Sequence, residues 1–415
     1  MYDFHMKTRR KEDEKTRQLL SYLQSECQEI LEENILRFWL DKMQDEEHGG
    51  WYGQMRGDGT VVKTANKGGI LNARLLWTFS AAFRLTGKSI YFDAAKRSKE
   101  YIISHFIDKE NGGTYWELDY KGNPIDTKKQ FYAIGFMLYG LSEYVRATAD
   151  EDALNYALQL FDCIESHSLD TENGGYIEAC TREWGAISDM RLSEKDENYP
   201  KSQNTHLHII EPYTNLYRVC PTPQIADALR RLINLFTDKI LNPNTHHLDL
   251  FFSMDWKRMG LLESYGHDIE CSWLLHEAVL VLGDDELLKK VEPVVRLVAK
   301  ASEKGLQADG SMCYEANLDT GYFCEDRHWW VQAETVVGFF NIFEHFDDEE
   351  ALSKCLNCFD YIKNHLIDYK GGEWWWSCDA QGNINQNEDK AGFWKCPYHN
   401  GRMCMELIEQ IRQNL

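Results

Sequence analysis

Asn111-Gly112-Gly113-Thr114-Tyr115-Trp116 reads as a glycine turn that hands aromatic residues to a short extended segment. The same text occurs at His48-Gly49-Gly50-Trp51-Tyr52, at Asn173-Gly174-Gly175-Tyr176 and at Gly371-Gly372-Glu373-Trp374-Trp375-Trp376. The first three copies stand about 62 residues apart. The gap from Gly175 to Gly372 leaves room for three further periods and a small insertion. Weaker turns fall inside it, at Asn242-Pro243-Asn244-Thr245-His246-His247 and at Asp309-Gly310-Ser311. Six repeats follow from this spacing.

Between the turns the apolar residues recur at helical spacing. Residues 11–40 form a first amphipathic helix, with Leu19, Leu20, Leu23, Cys27, Ile30 and Leu31 on one face. More apolar helices are predicted at Gly69–Leu85, 128–146, 203–219, 266–283, 328–346 and 397–413. Amphipathic ones are predicted at 90–106, 151–167, 223–241, 285–304 and 349–366. A helix apolar nearly all round belongs inside, and an amphipathic one outside. The sequence therefore predicts an all-α (α/α)6 barrel of six outer and six inner helices, one domain over 1–415. Short β-hairpins and the inner-helix N-termini gather at one end. An open solenoid is the alternative, and the aromatic surplus of 13 Trp, 21 Tyr and 19 Phe favours closure.

A net charge of −22 disfavours a nucleic-acid or anionic-membrane partner and says nothing against a neutral sugar. Met1 to Leu20 lacks an apolar core and no stretch reaches 18 apolar residues, so neither a signal peptide nor a membrane span is predicted, and the expected location is cytoplasmic. The twelve cysteines show no disulfide framework. The single C-x-x-C, Cys355 and Cys358, lies on a helical run without a second pair, so free thiols packed as small hydrophobes are expected.

The first turns of the inner helices carry the residues that do not belong in a plain core. These are Arg74, Tyr132, Asn204 with His208 and Glu211, His267 with Glu270, Trp330 with Glu334, and Trp394 with His399. In a closed barrel all of them converge on one pocket. His267 and Glu270 stand three apart in Ser264-Tyr265-Gly266-His267-Asp268-Ile269-Glu270, which lets the carboxylate bond the imidazole and set its tautomer. Gly266 marks the entry to that helix. The positive end of the helix dipole helps to keep such a histidine neutral, ready to accept a proton. Arg74 could instead bridge helices, and Trp330 could be ordinary core. His206 is expected to be exposed, and His276 to be a satisfied core group. His105, His167 and His365 end outer helices, where a cation suits the dipole. The histidines lack H-x-x-x-H or H-E-x-x-H spacing, so no metal is predicted. The carboxylates sit beside histidines, which suits orienting bases better than a glycosidase acid and nucleophile. No phosphate-cradling glycine loop is present.

Four segments together resemble the cellobiose 2-epimerase branch of the N-acylglucosamine 2-epimerase superfamily. They are Asn204-Thr205-His206-Leu207-His208-Ile209-Ile210-Glu211-Pro212-Tyr213, Tyr265-Gly266-His267-Asp268-Ile269-Glu270, Arg327-His328-Trp329-Trp330-Val331-Gln332-Ala333-Glu334 and Trp394-Lys395-Cys396-Pro397-Tyr398-His399-Asn400-Gly401-Arg402. The resemblance runs over nearly the whole chain in order. It implies reversible C2 epimerisation of the reducing-end glucose of β-1,4-linked disaccharides through a cis-enediol, without a cofactor. On that reading His267 and His399 are the acid–base pair, oriented or charge-balanced by Glu270 and Glu334. Arg74 and His208 steady the sugar oxygens and assist ring opening. Tyr132 and Asn204 bond hydroxyls, and Trp330 and Trp394 face the rings. A mannose 2-epimerase, an aldose–ketose isomerase and an (α/α)6 glycosidase are the alternatives, and a monomer or weak homo-oligomer is expected. The longer segment within 176–203, with Arg191, Glu194, Lys195, Asp196 and Glu197, is expected to be a solvated loop, or alternatively a lid over the second sugar.

Overall fold

The computed structural model describes residues 14–194 and 196–414. The first residues of the expected opening helix, 11–13, and the charged start of the chain lie outside them, as does Lys195. Six inner helices are present: Gly69–Thr86, Phe131–Thr148, Gln203–Val219, Tyr265–Leu282, Trp329–Phe346 and Tyr398–Asn414. They are called inner helices one to six below. Each packs on the next, and the sixth returns to the first, so the ring is closed. Outer helices Ser89–Tyr101, Glu151–His167, Pro223–Leu235, Asp285–Ser302 and Glu349–His365 each cover the inner helix that precedes them, and Glu14–Glu29 covers the sixth. This is an (α/α)6 barrel.

The sequence explains the sharp reversal between inner and outer helices. Inner helices one and four end in left-handed Gly87 and Gly283, and the second and fifth in left-handed Ala149 and Asp347. The next helix starts at once on a capping side chain. Asp150, Asp284 and Asp348 accept from the N–H groups of Ala153, Leu287 and Ala351 at 2.8, 3.1 and 3.1 Å. The core is the shell between the two rings. From Gly69 to Ala82 every residue of inner helix one is buried, as expected for a helix wrapped on all sides. Three of the outer stretches depart from the expected single α-helix: 30–36, 102–106 and 236–240 widen into π-helical turns.

At the other end the hairpins join neighbouring repeats. The short strand leading into an inner helix pairs antiparallel with a strand of the following repeat: Lys67–Gly68 with Glu117–Leu118, Lys129–Gln130 with Ala179–Cys180, Lys201–Ser202 with Phe251–Phe252, Leu262–Ser264 with Glu315–Asn317, and Arg327–His328 with Ser377–Cys378. A bridge between Met55 and Ala391 closes the circle. All six predicted turns are present as bridged loops, and His246 takes the positive φ that glycines hold in the stronger copies. The twelve cysteines are free, nine of them buried. Among the described residues no helix is long and apolar enough to cross a membrane.

Candidate active site

The inner-helix N-termini open into a cleft of about 1020 Å³. Arg74, Tyr132, Asn204, His208, His267, Glu270, Trp330, Trp394 and His399 all line it, although they come from six different helices or the loops before them. Glu334 lies one layer behind, fully buried. The convergence expected from the sequence is therefore present, and Trp330 faces the cleft instead of filling core.

The pairing expected between His267 and Glu270 is not. His267 Nδ1 meets Ser264 Oγ at 2.8 Å, and the Glu270 carboxylate turns inward, where Arg402 Nη2 donates to its Oε1 at 2.7 Å. Three-residue spacing places both residues on one side of the helix, but a buried carboxylate follows the nearest buried cation, and that cation comes from inner helix six. Gly266 also has a different reason from the one its position suggested. It lies inside the first helical turn, and a Cβ there would come within 2.7 Å of the Trp330 ring. The glycine lets that indole lie against the backbone beside His267.

Arg402 is the hub of the site, and sequence reading quoted it within a motif without giving it a role. It is fully buried and donates to Glu334 Oε1 at 2.7 Å as well as to Glu270, while its other terminal nitrogen bonds Glu211 and the Tyr398 hydroxyl. Its plane lies over the Tyr398 and Trp273 rings, 4.3 and 4.7 Å from their centroids. One guanidinium thus serves three carboxylates, and their charges separate accordingly. Burial alone would raise Glu211, but Arg402 and His208 outweigh it and hold the group at about 2. Burial and the neighbouring Glu334 push Glu270 well above the carboxylate range against the pull of Arg402. Burial likewise raises Glu334.

Two of these carboxylates orient histidines. Glu334 Oε1 is 2.7 Å from His399 Nδ1, and Trp273 Nε1 fixes the other oxygen at 2.9 Å. Glu211 Oε2 is 2.6 Å from His208 Nδ1. Each bond puts the proton on Nδ1 and leaves Nε2 as the free acceptor. Burial dominates the titration of all three histidines. It lowers His267 to about 3, drives His399 well below its ordinary value with help from Arg74 and Arg402, and lowers His208 although Glu211 opposes it. Burial therefore favours the neutral imidazole over the imidazolium at each of the three. The His267 and His399 rings lie 4.9 and 5.7 Å from the Trp330 ring, which places both beside one indole at the cleft floor.

Arg74 donates to the Tyr132 hydroxyl at 2.9 Å, so it does bridge inner helices one and two while facing the cleft. The Asn204 side-chain oxygen, Oδ1, is buried without a hydrogen-bond partner among the described residues. His206, expected to be exposed, is fully buried: its Nε2 accepts from the Tyr176 N–H at 2.9 Å, and its Nδ1 bonds the Ser202 carbonyl at 2.6 Å. His276 is a core group against Asn341, and His105, His167 and His365 stack on Tyr101, Trp184 and Tyr361. The 176–203 segment departs from a plain solvated loop, since Leu192, Ser193, Glu194, Asp196, Glu197 and Tyr199 wall the cleft. Donor atoms of His208, Glu211 and Glu270, and of Glu270, Glu334 and His399, come within 4.8 Å of one another. The Arg402 guanidinium already bonds all three of those carboxylates, which is where a cation would sit.

A model of the N-acylglucosamine 2-epimerase family matches residues 49–401. The chain is 56% identical to a cellobiose 2-epimerase of Bacteroides fragilis, over 93% of this chain and 98% of that protein. It is 39% identical to a cellobiose 2-epimerase of Ruminococcus albus, over 92% and 98% of the two chains. The solved cellobiose 2-epimerase of Bacillus thermoamylovorans superposes with a TM-score of 0.90 at 41% identity, covering 94% of this chain and 99% of that one. The chain belongs to the N-acylglucosamine 2-epimerase family.

Proposed function

We propose that this chain is a cellobiose 2-epimerase. It would invert C2 of the reducing-end glucose of β-1,4-linked disaccharides, turning cellobiose into 4-O-β-D-glucosyl-D-mannose and lactose into epilactose. The observation that carries the reading is the pair of buried imidazoles, His267 and His399, beside one indole in a cleft that also presents Arg74 and His208. The likeness to cellobiose 2-epimerases over almost the whole chain supports the substrate class. A cleft of about 1020 Å³ stands at the upper end of small-ligand sites and favours two sugar rings over one, which disfavours a monosaccharide epimerase or isomerase.

The reaction begins with ring opening, which needs a proton delivered to O5 and one removed from O1. His208, tied to Glu211, takes the O1 proton at its other ring nitrogen and passes it to O5, while the Arg74 guanidinium steadies the oxygens without giving up a proton. With the aldehyde exposed, the C2 proton becomes acidic. One of His267 and His399 removes it, and the cis-enediolate gathers charge on O1 and O2, where the Arg74 guanidinium opposes it. A pre-aimed donor of this kind contributes roughly 3–4 kcal/mol. The other histidine takes up a proton from solvent at its free ring nitrogen and returns it to the opposite face, while the first releases to solvent the proton it took, so the count of protons is unchanged over the turnover. When His399 gains its proton, Glu334 at 2.7 Å becomes the partner of an ion pair, so the charge created by catalysis has a counter-ion in place. Tyr132 and Asn204 bond hydroxyls, and the Trp330 and Trp394 faces hold the rings. No step needs a cofactor.

Incubation with cellobiose and with lactose, followed by separation of the products, tests the reading. An epimerase gives the mannose-terminated disaccharide at a constant number of reducing ends, and in deuterated water the new C2–H carries the label. Doubled reducing ends would mean hydrolysis, and a ketose as first product would mean isomerisation.

A further inference from the structure

Four of the six hairpins are held by a buried lysine: Lys67 on Asp45, Lys129 on Asp108, Lys201 on Asp170 and Lys390 on Asp368. A fifth uses Arg327, which donates to Ser311 Oγ at 2.8 Å. In each of the first three the lysine stands two residues before its inner helix. The fourth repeat, which carries His267, reverses the charges. Glu263 occupies the lysine position, and Asn242 stands where the turn aspartate would be. The cation now comes from the hairpin itself. His247 Nδ1 lies 2.6 Å from Asp268 Oδ2, and its Nε2 lies 3.7 Å from Glu263 Oε1. Asp268 is the neighbour of His267 in sequence, and Glu263 is the neighbour of Ser264, whose hydroxyl bonds His267.

We propose that His247 is a positioning residue for the epimerisation: its imidazolium clamps strand Leu262–Ser264 to the first turn of inner helix four, and loss of its proton leaves Glu263 to Lys304, outside that clamp, and lets the Ser264–His267 bond slacken. This rests on reading His267 as a proton-transfer base. The charged and titratable groups facing His247 are Asp268 and Tyr265 from inner helix four, Glu263 from the strand and Lys304 from the turn after the outer helix, 2.6 Å from Glu263 Oε2. A neutral imidazole keeps its Nδ1–H on Asp268 but turns a lone pair toward Glu263, replacing attraction by repulsion. Histidine ordinarily changes charge between pH 5 and 8, which lysine does not. Burial works against the charge here, but Asp268 and Glu263 outweigh it and raise His247 above its ordinary value. With the folded value raised, the clamp is complete below the unfolded value and is lost as pH rises through the folded one.

The test is kcat and KM for cellobiose from pH 6 to 10 in the unaltered enzyme, H247N and H247K, with imidazole NMR of the unaltered enzyme over the same range. Asn keeps the bond to Asp268 but cannot carry charge, and Lys keeps charge throughout. The expected result is a fall in kcat of roughly 10-fold on the alkaline side, with KM steady, as a small misplacement of His267 would give. H247N should run flat at the lower level, and H247K should hold the upper one. The His267 ring signals should shift along the His247 titration. H247N falling with pH as the unaltered enzyme does would overturn the proposal. If the variants do not fold, His267 signals indifferent to the His247 titration would do the same. An enzyme that leaves cellobiose untouched would sink the functional reading alone, because the NMR coupling is read without substrate.

Discussion

Replacing Arg402 by methionine removes the charged partner that Glu211, Glu270 and Glu334 share among the described residues, while keeping a chain of similar length over Tyr398 and Trp273. Breaking one buried ion pair by deleting a partner costs about 3–5 kcal/mol, because the remaining charge stays buried without compensation. All three carboxylates here are essentially without solvent contact, so the upper half of that range is expected at pH 8. The loss should shrink in acid. In the unaltered protein Glu211 is held at about 2, so its contribution is present above the ordinary glutamate value and fades as pH falls toward 2. Without the guanidinium, burial dominates and Glu211 joins Glu270 and Glu334 above the ordinary range. The folded variant then binds more protons than its unfolded chain, and its stability falls as pH rises. Urea unfolding followed by tryptophan fluorescence at pH 5 and pH 8 measures both effects, and adding E270Q should return part of the loss. A deficit below about 1 kcal/mol at pH 8, or one unchanged at pH 5, would refute the role given to Arg402.

H267A and H399A should each lower kcat by roughly 10² to 10⁴ while circular dichroism and the unfolding midpoint stay near those of the unaltered protein; epimerisation at an undiminished rate in either would remove that residue from the mechanism. Because His267 is lowered to about 3 and His399 also lies far below its ordinary value, the acid limb of kcat/KM should fall well below pH 6, since each base is lost only as pH drops through its own value. An apparent value near 6.5 would contradict the burial argument. G266A puts a methyl group within 2.7 Å of the Trp330 ring, so KM for cellobiose should rise along with any loss in kcat; an unchanged KM would show that the indole does not hold the sugar. S264A should lower kcat and leave KM alone, because the hydroxyl touches His267 Nδ1 and its role is aim, not affinity.

The repeat was legible because local chemistry writes it. Double glycines and apolar helices of about 18 residues are short-range signals, and the helix at 203–219 begins and ends where the spacing predicts. The site positions were legible for the same reason, as each lies within the first three turns of an inner helix or, for Trp394, in the loop just before one. The hydrogen-bond partners were not. Glu270 faces Arg402 across 132 residues of chain, and nothing near either residue announces it. His206 looked exposed because it lies one step from the face that carries His208. It is buried because repeats three, four and five use the same position (His206, Asp268, Gln332) to receive a hairpin N–H from Tyr176, Leu248 or Met312. That pattern appears only once the hairpins are seen folded onto the helices. Lys67, Lys129 and Lys201 were missed likewise, since a lysine before a helix reads as surface until its aspartate is found.

The cation that reconciles the three acids also has a bearing on biosynthesis. Glu211, Glu270 and Glu334 leave the ribosome before Arg402 does, and until that last stave docks they lack the guanidinium they share. A cylinder of five staves that closed on itself would strand those acids in a dry interior without that guanidinium, at the cost of an unpaired buried charge. The stave made last is thus the one whose arrival lets that interior close dry.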